Sequence, residues 1–108
     1  MRLLRLIHRA WYQWWYRNLT VAKVEDVPER PTPGVCYLVE EDGVFWAVAF
    51  KCPCGCGESI TLNLIGQRPR WSAEIDSSER MTVHPSIWRT GSCKSHFWIR
   101  NGRIHWAR

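Results

Sequence analysis

Phe97-Trp98-Ile99-Arg100-Asn101-Gly102-Arg103-Ile104-His105-Trp106 places alternating residues on both sides of an Asn-Gly dipeptide. Asn-Gly accepts the positive φ angles of a two-residue type I′ turn, whose twist matches that of paired strands. The stretch therefore predicts a β-hairpin, and the same grammar extends backwards through the chain. Val35 to Glu40 and Val44 to Phe50 are rich in β-branched and aromatic residues and flank Glu41-Asp42-Gly43, a second hairpin. Ser59 to Ile65 alternates and reads as a strand, and Asn18 to Val24 and the shorter run Trp71 to Ile75 read as further strands. Met81 to Trp88 begins extended and is expected to turn near Pro85. Between these runs, Pro28, Pro31 and Pro33 make residues 25–34 an extended connector, and Asp76 to Arg80 is a polar loop.

The N-terminus has a different period. Leu3, Leu4, Leu6, Ile7, Trp11, Trp14 and Trp15 recur at three- and four-residue spacing, with Arg2, Arg5, Arg9 and Arg17 largely off that face. This pattern predicts an amphipathic helix over residues 2–18, packed on the sheet or fitted to a partner's groove or an anionic membrane surface. The expected fold class is mainly β (α+β). It comprises a small antiparallel sheet of hairpins, an N-terminal amphipathic helix (1–18) and a single zinc-binding β-rich domain (19–108) carrying a Cys-rich turn.

The 108 residues are the length of one compact domain, and 45% hydrophobic with 23% charged content argues against disorder. Eight tryptophans exceed what so small a core needs and suggest an aromatic surface that meets a partner. The net charge of +5 suits nucleic acid or an acidic protein surface, but the arginines form no dense block. No apolar run approaches the roughly 20 residues that span a bilayer. The start has basic residues but neither an uninterrupted apolar core nor a small-residue cleavage site, so it does not read as a signal peptide. Five cysteines, an odd and tightly spaced set, do not suit a disulfide framework. A reducing, bacterial-type cytoplasm is the expected setting.

Four of those cysteines fall in two clusters: Cys52-Pro53-Cys54-Gly55-Cys56-Gly57 and Cys93-Lys94-Ser95-His96. Thiolates and imidazole on tight turns are the ligands of tetrahedral zinc, and the glycines allow backbone amides to turn towards sulfur. A knuckle normally has two residues between ligands, and here there is one. Two sets remain open: all three clustered cysteines with Cys93, or two of them with Cys93 and His96. Either shell closes the ion to water, which makes a zinc-water hydrolase a poor reading and a structural brace a good one. A Rieske iron–sulfur centre needs a histidine in each cluster, and the first has none. Cys36, mid-strand, reads as a small core residue.

Ser86 follows His84-Pro85 and Ser95 precedes His96. Adjacent residues on a strand point oppositely, so Ser95 and His96 are poor partners, whereas Ser86 can meet His96 or His84 across a turn. Serine after proline also commonly caps a turn, and His96 is itself a candidate zinc ligand. His8 and His105 suggest no partner.

Cys-Pro-Cys-Gly-Cys-Gly at 52–57, Ile-Thr-Leu-Asn-Leu at 60–64, Trp71, His-Pro-Ser-Ile-Trp at 84–88, Cys-Lys-Ser-His-Phe-Trp-Ile at 93–99 and Gly-Arg-Ile-His-Trp at 102–106 occur in that order. The ordered set, over about residues 35–106, resembles BubE, a small bacterial family that accompanies ubiquitin-like modifiers and their activating and conjugating enzymes. The resemblance implies a zinc-containing serine-type peptidase that trims or deconjugates the modifier. Carried over by motif, Cys52, Cys54, Cys56 and Cys93 would hold the Zn2+, and Ser86 and His96 would be the catalytic pair. Amides of the metal-braced turn would serve the oxyanion, and Trp88 and Trp98 would line a groove for the modifier's tail. The implied partners are the modifier or its conjugates, with the activating or conjugating enzymes as further ones; nucleic acid and membrane are not expected. Two other readings stand beside it: a zinc-stapled adaptor for the modifier or a conjugating enzyme, and a binder of single-stranded nucleic acid through arginines and tryptophans.

Overall fold

The structure, a computed structural model, describes residues 18–107. Eight strands form two four-stranded sheets. β1 (Thr20–Val24), β2 (Val35–Glu41), β3 (Val44–Lys51) and β4 (Ser59–Asn63) make the first. β5 (Ser72–Ile75), β6 (Met81–Trp88), β7 (His96–Arg100) and β8 (Arg103–Trp106) make the second. In each sheet the strands lie side by side in chain order.

This corrects the expected class. The described residues are all-β, with no helix among them, and there are two sheets where one small antiparallel sheet was expected. The predicted helix over 2–18 lies on residues outside the described ones, apart from Asn18. Nor is the first sheet wholly antiparallel: β1 runs parallel to β2, from Thr20 opposite Val35 to Val24 opposite Val39. The proline-held connector over 25–34 supplies the crossover that a parallel pair requires.

The hairpins form where the sequence places them. Asp42 (φ 51°) and Gly43 (φ 79°) turn β2 into β3, and Asn101 (φ 50°) and Gly102 (φ 74°) turn β7 into β8. Both central residues of each turn are left-handed, as a type I′ turn needs. The second turn is also tied into the body of the fold: Gly102 N–H donates to the Met81 carbonyl at 2.8 Å, and Leu19 N–H to the Gly102 carbonyl at 2.7 Å.

Period-two burial closes the two sheets on one core. β4 buries Ile60 and Leu62 and exposes Ser59, Thr61 and Asn63. Leu38, Val48, Phe50 and Leu62 of the first sheet join Met81, Val83, Ile87, Phe97 and Ile99 of the second in one hydrophobic cluster. Each such side chain contributes roughly 1.5–3 kcal/mol when fully buried. Phe50 and Phe97 meet edge to face across the two sheets, ring centroids 6.2 Å apart. Cys36 is fully buried in this core, and burial pushes its thiol up to about 12. Because Phe97 and Ile99 face inward, His96, Trp98 and Arg100 lie on the outer face of the second sheet.

β6 departs from a regular ladder. It takes four steps from Val83 to Ile87 while β7 takes two from Ile99 to Phe97. The strand does not turn away at Pro85, as the sequence predicts, but bulges. An even insertion leaves Val83 and Ile87 both facing the core, so the bulge costs no register and lifts His84-Pro85-Ser86 out of the β6–β7 ladder.

Candidate functional site

β3 runs directly into Cys52, where Cys52 N–H donates to the Glu58 carbonyl at 2.8 Å and Gly55 N–H to the Cys52 carbonyl at 3.2 Å. These bonds close the first cysteine turn between β3 and β4. The second turn, between β6 and β7, is closed by Arg89 N–H on the Ser95 carbonyl at 2.8 Å and passes through Lys94 at φ 58°. Arg89 also bonds Glu58 at 2.8 Å, linking the two turns through their side chains.

The turns bring four sulfurs together. The Sγ atoms of Cys52, Cys54, Cys56 and Cys93 all lie within 4.8 Å of one another. Cys52 Sγ is 3.4 Å from Cys54 Sγ and 3.6 Å from Cys93 Sγ. A tetrahedron with metal–sulfur bonds of about 2.3 Å has edges of about 3.8 Å, so the quartet fits a metal ion with little movement. One further observation favours negative charge at this point. Arg89 Nη1 is buried without a hydrogen-bond partner. Burial works against its guanidinium charge, but Glu58 and the Cys52 and Cys93 sulfurs outweigh that and strengthen it. A metal held by four thiolates would carry net negative charge beside this guanidinium, in addition to that of Glu58.

The sulfurs differ in proton affinity. Burial raises Cys52 well above the usual thiol range and, more weakly, raises Cys56. Burial alone would also raise Cys93, but hydrogen bonds from the Ser95 side chain and backbone, and from the neighbouring thiols, lower it to about 6. Ser95 Oγ lies 3.2 Å from Cys93 Sγ.

His96 stands apart from the sulfur quartet. Its Nε2 is 2.8 Å from Ser86 Oγ, and both residues are half-buried. The bulge explains how a residue lifted from β6 reaches the first residue of β7. Ser86 is fixed on its other side by Trp71, whose Nε1–H donates to the Ser86 carbonyl at 3.3 Å. His84, the other histidine weighed for Ser86, sits opposite Ser72 on β5 and is exposed.

Trp88 faces His96 directly across the β6–β7 pair. Arg89 N–H bonds the Ser95 carbonyl, so the Trp88–His96 pair is the closely spaced, non-hydrogen-bonded kind whose side chains meet. The Trp88 ring stacks on the imidazole at 5.0 Å and 13°, and Trp98 lies on it at 5.3 Å and 33°. Both tryptophans pack against the histidine, where the sequence suggested the walls of a groove. Among the described residues no carboxylate is hydrogen-bonded to His96. A cavity of about 250 Å³ opens beside it, lined by Pro53, Cys54, Cys93, Lys94, Ser95 and Trp106 among others.

The site thus combines a hydrogen-bonded serine and histidine with a nearby sulfur quartet. A model described as the bacterial ubiquitination-like system serine protease (BubE) matches residues 23–107. The chain belongs to the BubE family. No curated protein and no solved structure matches it. The match takes in all six residues that the sequence singled out and, of the predicted helix, none. The family's name is that of a serine protease, which directs attention to Ser86. Three contributors to this BubE-family site escape sequence reasoning: Trp71 at the Ser86 carbonyl, Arg89 between the two turns, and the Trp88–His96 stack. Pro85 between two strand-like halves of Met81–Trp88 was the one available signal of the bulge that unites them. The described residues contain no helix long and apolar enough to cross a membrane.

Proposed function

We propose that this chain is a serine-type peptidase that processes or deconjugates the ubiquitin-like modifier of a bacterial ubiquitination-like system. Ser86 is the nucleophile and His96 the general base. The observation that carries this reading is the 2.8 Å contact between Ser86 Oγ and His96 Nε2 on the outer face of the second sheet. The base form has the proton on Nδ1, leaving Nε2 free to accept from the Ser86 hydroxyl. As Oγ attacks the carbonyl carbon at the modifier's C-terminus, Nε2 takes its proton and the carbonyl electrons move to oxygen. Collapse expels the amine, which takes the proton from Nε2 and leaves an acyl-Ser86 ester. Water, deprotonated by the same nitrogen, then releases the acid. The oxyanion donors we place in N–H groups of the Cys93–Ser95 turn, whose residues line the cavity beside His96. Packing against Trp88 and Trp98 orients the imidazole in the role that a third, acidic residue often fills.

We assign the sulfur quartet to a structural zinc ion held by Cys52, Cys54, Cys56 and Cys93. The ion supplies cross-linking of the two turns, and so fixes the start of β7 at His96. Its binding should release protons. Cys52 and Cys56, their thiols raised, carry protons near neutral pH in the metal-free fold, whereas Cys93 is already a thiolate above about pH 6. At least two protons therefore leave on binding, and apparent zinc affinity should fall at least about a hundredfold per pH unit on acidification from pH 8 to 7. Below about pH 6 protonation of Cys93 steepens the fall. Competition with a chromophoric chelator at fixed pH values measures the slope; a pH-independent affinity would remove the thiolate assignment.

The test of the peptidase reading is covalent. A fluorophosphonate probe should label the wild-type protein once, at Ser86, as read by peptide mass spectrometry, and should fail on Ser86→Ala. Labelling elsewhere, or none, would reject Ser86 as an activated nucleophile.

A further inference from the structure

Beyond the dyad, the outer face of the second sheet continues in a definite chemical order. Trp98 lies 5.3 Å from the His96 ring, and the Arg100 guanidinium sits over Trp98 at 4.9 Å from its centroid. Arg100 is thereby folded back along β7 towards the catalytic pair. Taken end to end, those two separations of 5.3 and 4.9 Å keep the guanidinium within about 10 Å of the imidazole. Arg103 stands directly opposite Arg100 across the Asn101-Gly102 hairpin. Residues so paired share a face with Cβ atoms about 4.5–5.5 Å apart, and like charges there repel. Both arginines are exposed, and among the described residues the ion pair is Arg89–Glu58, so no carboxylate neutralises either. Two unneutralised arginines on paired positions of one face, one of them held on a ring that packs against the proposed base, offer a fork for a carboxylate.

We infer that Arg100 and Arg103 bind an acidic side chain of the extended polypeptide substrate, about three residues from the scissile bond. The distance sets the register, since an extended chain advances about 3.3 Å per residue and the fork lies within about 10 Å of His96. This inference rests on the peptidase reading of Ser86 and His96. A single-stranded nucleic acid would also be drawn to arginines and tryptophans, but it needs open ring faces to stack on. Here the Trp98 ring, the one nearest the arginines, carries the Arg100 guanidinium and packs against His96, and Trp88, though 64% exposed, is stacked on His96 and offers one face, where successive bases need successive platforms. The observations favour the carboxylate.

The experiment uses the full chain with Ser86→Ala, so that peptides bind without being consumed. Fluorescein-labelled glycine-rich peptides carrying one Glu are compared with otherwise identical peptides carrying Gln, by anisotropy in low and moderate salt. The Glu peptide should bind about fivefold more tightly, the preference shrinking as salt rises. R100Q/R103Q should erase that preference, whereas R30Q/R68Q, which removes the same charge from exposed positions elsewhere, should keep it. Wild-type protein should cleave the Glu peptide about three residues from the acid. Equal binding of Glu and Gln peptides, or binding of neither, overturns the inference. So does oligothymidine binding more tightly through the same two arginines. Fluorophosphonate labelling of Ser86 separates the two levels: labelling without a Glu preference sinks this inference alone. Absence of labelling sinks the peptidase reading and takes the register with it.

Discussion

Ser86→Ala should lower the rate of cleavage of a C-terminally extended modifier by about 10⁴-fold or more, and His96→Ala by a similar factor. The double variant should be scarcely worse than either single one. Residues that form one proton-transfer unit are not additive, because removing either partner already disables the attack. Ser86 loses only its hydroxyl in this change, and the core neighbours Val83 and Ile87 are untouched, so melting temperature should move little. Single-turnover assays read the loss, and thermal melting shows that it is not unfolding. If either variant retains more than a tenth of the wild-type rate, the 2.8 Å contact is not a catalytic one. If the double variant loses the product of the two single losses, Ser86 and His96 act separately.

That result bears on how the proposed dyad would work without a hydrogen-bonded acid. A base must be held in one orientation and one tautomer, and a buried carboxylate is a frequent solution. The present site packs the ring against two tryptophans, Trp88 stacked at 13° and Trp98 tilted at 33°. Trp88 remains 64% exposed, an unusual position for so large an apolar side chain, and its stack on His96 gives that exposure a purpose. The ordered bulge completes the geometry, since Trp71 bonds the Ser86 carbonyl that the interrupted ladder would otherwise leave open.

Much of this was legible wherever a local physical demand is unique. Asn101-Gly102 and Asp42-Gly43 announce hairpins because few dipeptides take two positive φ angles at low cost. The two cysteine clusters announce a common site because spaced thiols on tight turns have few other uses, and the four sulfurs do converge. What stayed hidden depends on partners distant in sequence. Nothing in Thr20–Val24 says that it will run parallel to β2, or that the eight strands will divide four and four. The choice between His84 and His96 for Ser86 was equally closed, because it turns on a bulge whose length only the β6–β7 register reveals. The tryptophans illustrate the same limit: composition marks Trp88 and Trp98 as surface aromatics, but only the fold shows that both pack against one histidine.

The second large effect concerns the metal. Cys52→Ser and Cys93→Ser should each abolish stoichiometric zinc, and both should lower stability by several kcal/mol, about 3–5. The estimate lies well below the roughly 10–16 kcal/mol of small zinc-dependent folds, because two sheets here already share a core built without the ion. The order of effects follows burial: Cys52 is fully buried and Cys56 exposed, so Cys56→Ser should cost less. Metal content by plasma emission and melting by circular dichroism read the two quantities. Wild-type stability in both Ser variants would show that the quartet is not a cross-link. The same proteins separate brace from chemistry. His96 begins the strand that the Cys93 turn launches, so loss of the ion should slow fluorophosphonate labelling of Ser86, through displacement of the base. Ser86→Ala, by contrast, should keep its zinc in full. A metal that survives loss of the nucleophile, while the nucleophile fails on loss of the metal, is one that positions the site and takes no part in the bond-breaking step.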